Sequence, residues 1–290
     1  MKLSVVVLTY EAGELLLRCL ESVFASQVPF AWEVILVDNR STDGSVERVV
    51  ERFGDRLAEV VRNPRNGGFA YGHNAGLRLS RGEYVCLLNP DTTVRPDALA
   101  ALVAFLDANP GVGFAGPRVL NPDGTDQRSA MRMIPSPADA AARALMLSRL
   151  FPKSRRLARF HAAGLDPAQP HRVEACTGCC MVARRAMLEG IGPLDERFFL
   201  YCEDVDWFLR ARAAGWSVHY RPEAVIEHQN AYSRRRRRFR AVFDAHWSMI
   251  LFHEKHFARG YPAPVNAALY GGVLARMGLL MAHGAVTGWR

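Results

Sequence analysis

Over the first 120 residues one pattern repeats: a short apolar, β-branched run breaks off at a polar turn, and apolar residues at helical spacing follow it. Residues 3–8 (Leu-Ser-Val-Val-Val-Leu) have the composition of a central strand covered on both faces. They stop at Thr9-Tyr10-Glu11, and beyond Gly13 the residues Leu16, Cys19, Leu20 and Val23 recur as on one face of a helix. Residues 33–37 form a second run, ended by residues 38–44 (Asp-Asn-Arg-Ser-Thr-Asp-Gly) and followed by a predicted helix over 45–53. A third strand, 58–62, enters a loop with glycines at 67, 68, 72 and 76 and a helix starting near Phe69. A fourth, 84–88, ends on Asn89-Pro90-Asp91, before a helix over about 96–109 and a strand over 112–115. Strands alternating with helices predict an α/β fold with a mainly parallel, doubly wound sheet, which binds ligands at the C-terminal ends of its strands.

Acidic residues occupy two of those ends, Asp38 and Asp91. A carboxylate there faces the ligand crevice; the competing reading of Asn89-Pro90-Asp91 is an ordinary turn, which all three residues favour. Glycines before Phe69 let backbone approach a phosphate at a helix start, although their spacing matches neither the dinucleotide fingerprint nor the P-loop. A second acidic constellation is Glu203-Asp204-Val205-Asp206, set behind Phe198, Phe199 and Tyr201. It also suits the first turn of a helix, where acids complement the macrodipole, and Phe208, Leu209, Ala213 and Trp216 would pack that helix. Residues 216–220 and 224–228 read as two short strands, the second ending on His228, and 172–185 as a strand pair around Cys176, Cys179 and Cys180. The Cys-x-x-Cys spacing has no second pair to complete a zinc site, so these thiols read as structural. Between them lies the least periodic stretch, 121–172, which opens with the turn Asn121-Pro122-Asp123-Gly124 and reads as an acceptor-side excursion.

In order along the chain, Thr9-Tyr10, Asp38 to Gly44, Arg65-Asn66-Gly67-Gly68 with Gly72 and Asn74, and Leu88-Asn89-Pro90-Asp91 resemble the family 2 inverting glycosyltransferases of the GT-A fold, and among them the rhamnosyltransferase-like branch. The resemblance covers residues 1–230 and implies a nucleotide-sugar-binding half (1–120) and an acceptor and catalytic half (121–230), with 231–290 as a basic and apolar helical appendage. It implies that Thr9, Tyr10, Glu11 and Asp38 hold the nucleobase and ribose of a nucleoside-diphosphate sugar, with Asp43, Arg65, Gly68 and Asn74 nearby and Gly178 beneath the sugar. Asp91 would be the metal-binding acid of the D-x-D motif and His228 its partner on Mn²⁺ or Mg²⁺. The first acid of that motif is Asn89 here, which brings no charge and so implies modest metal affinity. Asp204 would take the acceptor proton, with Glu203 sharing or orienting it, and the aromatic wall is expected to raise the Asp204 pKa. The resemblance makes dTDP-rhamnose the leading donor, ahead of UDP-sugars, and a glycan or polyprenyl-diphosphate-linked glycan the acceptor.

A net charge of +8 calls for an anionic partner. Five consecutive arginines, Arg234 to Arg238, precede an apolar-faced helix with Phe243, Trp247 and Phe252, and residues 263–285 are a second apolar stretch broken by Arg276 and glycines. Lying on an anionic membrane surface or packing on the domain suits this composition better than crossing a membrane. Six cysteines with no secretory leader pattern before residue 3 point to a reducing compartment, hence a cytoplasmic protein, peripheral on the inner face of the cell membrane. A basic nucleic-acid-binding module would explain the charge but leave Asp91, Asp204 and His228 without a role, so no nucleic acid is expected. A sugar-phosphate nucleotidyltransferase would need a Gly-rich, Arg-containing loop where Thr9-Tyr10-Glu11-Ala12-Gly13 stands.

Overall fold

A computed structural model of the chain describes residues 1–134, 136, 150, 162, 164–229 and 238–289. Arg234 to Arg237 and most of the excursion between 135 and 163 lie outside the described residues.

The first half is β1 (Leu3–Thr9), α1 (Glu14–Phe24), β2 (Trp32–Asp38), α2 (Ser45–Phe53), β3 (Glu59–Arg62), α3 (Phe69–Leu79), β4 (Tyr84–Leu88), β5 (Thr92–Val94), α4 (Ala98–Ala108) and β6 (Val112–Leu120). The second half is β7 (Met131–Arg132), β8 (His171–Val173), β9 (Ala175–Cys176), β10 (Cys180–Arg184), α5 (Arg185–Ile191), α6 (Glu203–Ala213), β11 (Ser217–His228), α7 (Arg238–His256) and α8 (Ala263–Val286). The main sheet runs β3-β2-β1-β4-β10-β6-β11-β5, with β8 on β11, and β7 pairs with β9 apart from it.

β1 pairs in parallel with β2 and β4, and β2 with β3, so the nucleotide half follows the predicted order. Every residue of β1 and β4 is buried, which is why both read as predominantly apolar runs. The face of α1 read from spacing, Leu16, Cys19, Leu20 and Val23, is the face it buries. Close packing explains two glycines of the Gly-rich segment: a Cβ on Gly72 would lie 2.3 Å from Leu8 Cδ1, and one on Gly76 2.4 Å from Val6 Cγ1. They let α3 press against β1 and bring its N-terminus to the strand ends.

The second half is mixed, because β10 lies antiparallel between β4 and β6. The expected strand pair over 172–185 is replaced by three strands with separate partners: β8 on β11, β9 on β7, and β10 at the sheet centre. The two short strands expected over 216–228 are one, β11, with a register shift between Arg221 and Val225. Pro222 falls in that shift and has no N–H to give the ladder. Ala213, expected to pack, is exposed near the end of α6.

Both C-terminal helices have partners in the fold. Phe252 of α7 is buried with Ile134, Phe198 and Val205. α8 lies along α7, with His253 Nε2 2.7 Å from Asn266 Oδ1 and Arg276 Nη1 2.7 Å from His246 Nε2. Its 24 residues have a mean hydropathy of 1.3 in their most apolar window, none of it buried. Among the described residues it is the one helix long and apolar enough to cross a membrane.

Candidate active site

The loops after β1 and β2 are laced together at the strand ends. Asn39 N–H donates to the Thr9 carbonyl at 2.9 Å, and Asp38 Oδ1 accepts the Ser41 N–H at 2.8 Å. Glu11, at φ 52°, accepts both the Thr42 N–H and hydroxyl, at 2.8 and 2.9 Å. Asp43 takes the Gly13 N–H on one oxygen (2.8 Å) and the Ser45 N–H and hydroxyl on the other (3.1 and 2.6 Å). Burial alone would raise the Asp43 pKa; these donors outweigh it and hold the carboxyl below its ordinary range. Its oxygens therefore brace the loop, where the sequence suggested donor contact. Thr9 Oγ1 is buried and has no hydrogen-bond partner among the described residues.

Gly68 has φ 92°, and a Cβ there would lie 2.1 Å from the Phe199 carbonyl oxygen, so no other residue fits. Asn39 Nδ2 holds the Gly68 carbonyl at 2.9 Å, and Asn63 Nδ2 in turn reaches Asn39 Oδ1 at 2.8 Å. Asn74 is turned elsewhere than the sequence suggested. Its amide grips the Leu194 carbonyl and Glu196 Oε1, each at 2.9 Å, and accepts the Leu194 N–H at 3.0 Å. It clamps the approach to the acidic cluster. Arg65 lies over the Tyr71 ring, 5.1 Å from its centroid, and is exposed at the loop surface.

Asp91 and His228 are brought together by β5 and β11, which pair His228 with Thr92. His228 Nε2 lies 3.2 Å from Asp91 Oδ1, while Nδ1 lies 3.2 Å from Gln127 Oε1. Gln127 Nε2 also donates to the His228 carbonyl at 2.6 Å, so it fixes both ring and backbone. A donor at Nδ1 leaves Nε2 facing the carboxylate, the orientation a metal ligand needs. Burial disfavours the charged ring, but Cys179 and Asp91 beside it outweigh that and raise the His228 pKa to about 10. One carboxylate oxygen and one imidazole nitrogen fit a hard divalent cation whose other positions go to diphosphate oxygens and water. Among the described residues no group of three or more His, Cys, Asp or Glu could hold a metal by itself. Asn89 fixes the loop through its backbone, its N–H donating to the Cys179 carbonyl at 2.9 Å.

Glu203 and Asp204 open α6 after two successive left-handed residues, Tyr201 at φ 71° and Cys202 at φ 67°. Non-glycine residues in that region cost on the order of 1–3 kcal/mol each and persist where the surroundings impose them. Asp204 Oδ2 lies 2.5 Å from Arg132 Nη2, and Oδ1 accepts the Val205 N–H at 2.8 Å. A Cβ on Gly178 would lie 3.0 Å from Asp204 Oδ2, so Gly178 is a close-approach position against this carboxylate. The acid whose pKa is driven well up is Glu203: burial is the main cause and the Asp204 charge the second, and Glu203 Oε2 has no partner among the described residues. Asp204 has the Arg132 guanidinium beside it. The sequence reading missed Arg132 and Gln127, which lie 72 and 101 residues from the groups they orient.

Residues 4–192 match the family model described as glycosyl transferase family 2. The chain belongs to that family. A family member from Mycobacterium tuberculosis, N-acetylglucosaminyl-diphospho-decaprenol L-rhamnosyltransferase, is 29% identical over 96% of this chain and 92% of its own. Among solved structures, a mannosyltransferase from Pyrobaculum calidifontis in complex with GDP-Man and Mn²⁺ superposes with a TM-score of 0.58 at 21% identity, covering 100% of this chain and 81% of that one. Staphylococcus aureus TarS 1–349 gives 0.58 at 17% identity, over 94% and 71% of the two chains. The GT-A fold and a glycosyltransferase activity are thereby established for this family 2 chain, whose acidic cluster and His228 lie beyond the matched residues.

Proposed function

We propose that this glycosyltransferase moves L-rhamnose from a nucleoside-diphosphate donor, dTDP-rhamnose ahead of a UDP-sugar, to a hydroxyl of a polyprenyl-diphosphate-linked glycan, with inversion. The observation that carries the reading is the pair of assemblies at the sheet's ligand-binding end, Asp204 against Gly178 and Asp91 against His228. The mycobacterial relative, matched along nearly its whole length, supports the sugar and the acceptor class. TarS bound to UDP-GlcNAc supports a nucleotide-sugar donor.

In this reading Thr9, Tyr10, Glu11 and Asp38 line the nucleoside end, and Arg65, Gly68 and Asn89 lie toward the diphosphate. Asp91 and His228 would hold Mn²⁺ or Mg²⁺, whose chemistry there is to neutralise the charge of the departing nucleoside diphosphate. Asp204 accepts the proton of the attacking acceptor hydroxyl. Arg132 fixes the direction of that carboxylate, and Glu203, buried beside it, shares or orients it.

The C-terminal hairpin supports attachment to the inner face of the cell membrane. Phe239, Phe243 and Trp247 recur every fourth residue on α7 and are 38%, 38% and 47% exposed. On α8, Leu279 is 73% exposed and Val286 88%. Arg238, next to Phe239 on α7, is an exposed cation that would complement anionic headgroups.

One assay tests these points together: nucleoside-diphosphate release from a panel of donors, with a lipid-linked acceptor presented in neutral or anionic vesicles. Release is expected with dTDP-rhamnose, dependent on acceptor and greater on anionic vesicles at low salt. Release only from other donors would displace rhamnose, and equal rates on both vesicles would remove the membrane.

A further inference from the structure

The catalytic helix α6 starts on the strained pair Tyr201 and Cys202, and much of what brackets that pair comes from α7, outside the residues that match the family model. Upstream of the pair, Ser248 Oγ donates to the Leu200 carbonyl at 2.9 Å, and the Arg240 guanidinium lies over the Phe199 ring, 4.9 Å from its centroid. Phe252 packs in one buried cluster with Phe198 and Val205, one residue on either side of the stretch 199–204. Downstream, Asp206 is fully buried. Its Oδ1 receives Lys255 Nζ at 2.6 Å and His256 Nε2 at 2.7 Å, and its Oδ2 receives Arg210 Nε at 2.9 Å. Lys255 also reaches Asp195 Oδ2 at 2.7 Å, tying the segment before the helix to the same point.

Arg210, four residues along the same helix, already gives Asp206 a counter-charge. Lys255 and His256 add something that a partner on the same helix cannot: they fix α6 against a separate element. Asp204 and Asp206 share the first turn of α6, so a rotation or slide of that turn moves the Asp204 carboxylate with it. Burial alone would raise the Asp206 pKa, whereas His256 and Lys255 keep it below its ordinary value and so keep the clamp ionised.

We propose that α7 is part of the catalytic apparatus, with Lys255 and His256 as positioning residues that act through Asp206 to aim Asp204 at the acceptor hydroxyl. This rests on Asp204 being the base. A clamp that merely fastens the appendage would cost stability when cut but leave the folded enzyme's turnover alone; a positioning clamp lowers kcat and leaves donor binding, which uses other loops, unchanged.

The test uses the full chain carrying Lys255→Met, His256→Phe, their combination, and the conservative Lys255→Arg, with kcat and donor KM measured well below each Tm. The double variant is expected to lose about 10- to 100-fold in kcat with donor KM within about twofold, the scale of a misplaced catalytic group. Lys255→Arg should recover most of the loss seen in Lys255→Met. Turnover per folded molecule within about twofold of the parent would overturn the proposal, whatever the change in Tm. If the double variant does not fold, the single variants decide by the same criterion. Asp204→Asn run in parallel separates the two ideas: an active Asp204→Asn enzyme removes the base assignment and the clamp's purpose with it, whereas an inactive one beside fully active clamp variants removes only the clamp.

Discussion

Asp204→Asn lowers turnover by about 100-fold or more while donor affinity stays within a few-fold, the scale of losing a general base. The amide keeps the shape of the carboxylate and can still accept the Val205 N–H that Oδ1 holds at 2.8 Å. What disappears is the site that receives the acceptor proton. The same change leaves Arg132 without its carboxylate partner, and an uncompensated charge in a largely buried place destabilises by several kcal/mol. Steady-state rates are therefore to be read beside a melting curve, with Arg132→Met/Asp204→Asn as the variant that removes both charges. Parent-like turnover in Asp204→Asn together with an inactive Glu203→Gln would move the base by one residue.

Asp91→Ala and His228→Ala each abolish most of the tightening that Mn²⁺ brings to nucleoside-diphosphate binding, by at least about 10-fold in Kd. Each variant removes one of the two groups proposed to hold the ion, 3.2 Å apart, and no group of three or more His, Cys, Asp or Glu stands there among the described residues to cover the loss. Gln127→Ala should follow in the same direction with a smaller effect, because it orients the ring without touching the ion. Calorimetry with and without metal reads all three. The raised His228 pKa adds a sign: below about pH 10 the metal-free ring carries a proton that the ion must displace, so metal-dependent binding weakens as pH falls. Undiminished metal-dependent binding in His228→Ala would leave that residue with a structural role alone.

The nucleotide half was legible because its strands are covered on both faces. β1 and β4 are short runs rich in β-branched and apolar residues bounded by polar turns, and α1 shows its buried stripe at plain helical spacing. β5, β7 and β9 escaped because two or three residues carry no period. Residues 172–185 were misread because β8, β9 and β10 are close in sequence yet take separate, distant partners, which spacing does not encode. Among the residues proposed for the site, strand ends pointed to Asp38 and Asp91, whereas the roles of Asp204 and His228 came from the family resemblance. Arg132 and Gln127 could not be announced, since each meets its partner only through the sheet. Asp43 and Asn74, which the resemblance places near the donor, also hold the chain: Asp43 accepts the Ser45 N–H and hydroxyl at the start of α2, and the Asn74 amide reaches residues 194–196.

The anomeric configuration of the transferred sugar, read by NMR on product made with dTDP-rhamnose and a polyprenyl-diphosphate-linked acceptor, tests the account at its centre. A single displacement with Asp204 as base predicts a product configuration opposite to the donor's in all of the newly formed linkage. Retention of the donor configuration would require a second displacement that this site is not proposed to perform, and would contradict the mechanism.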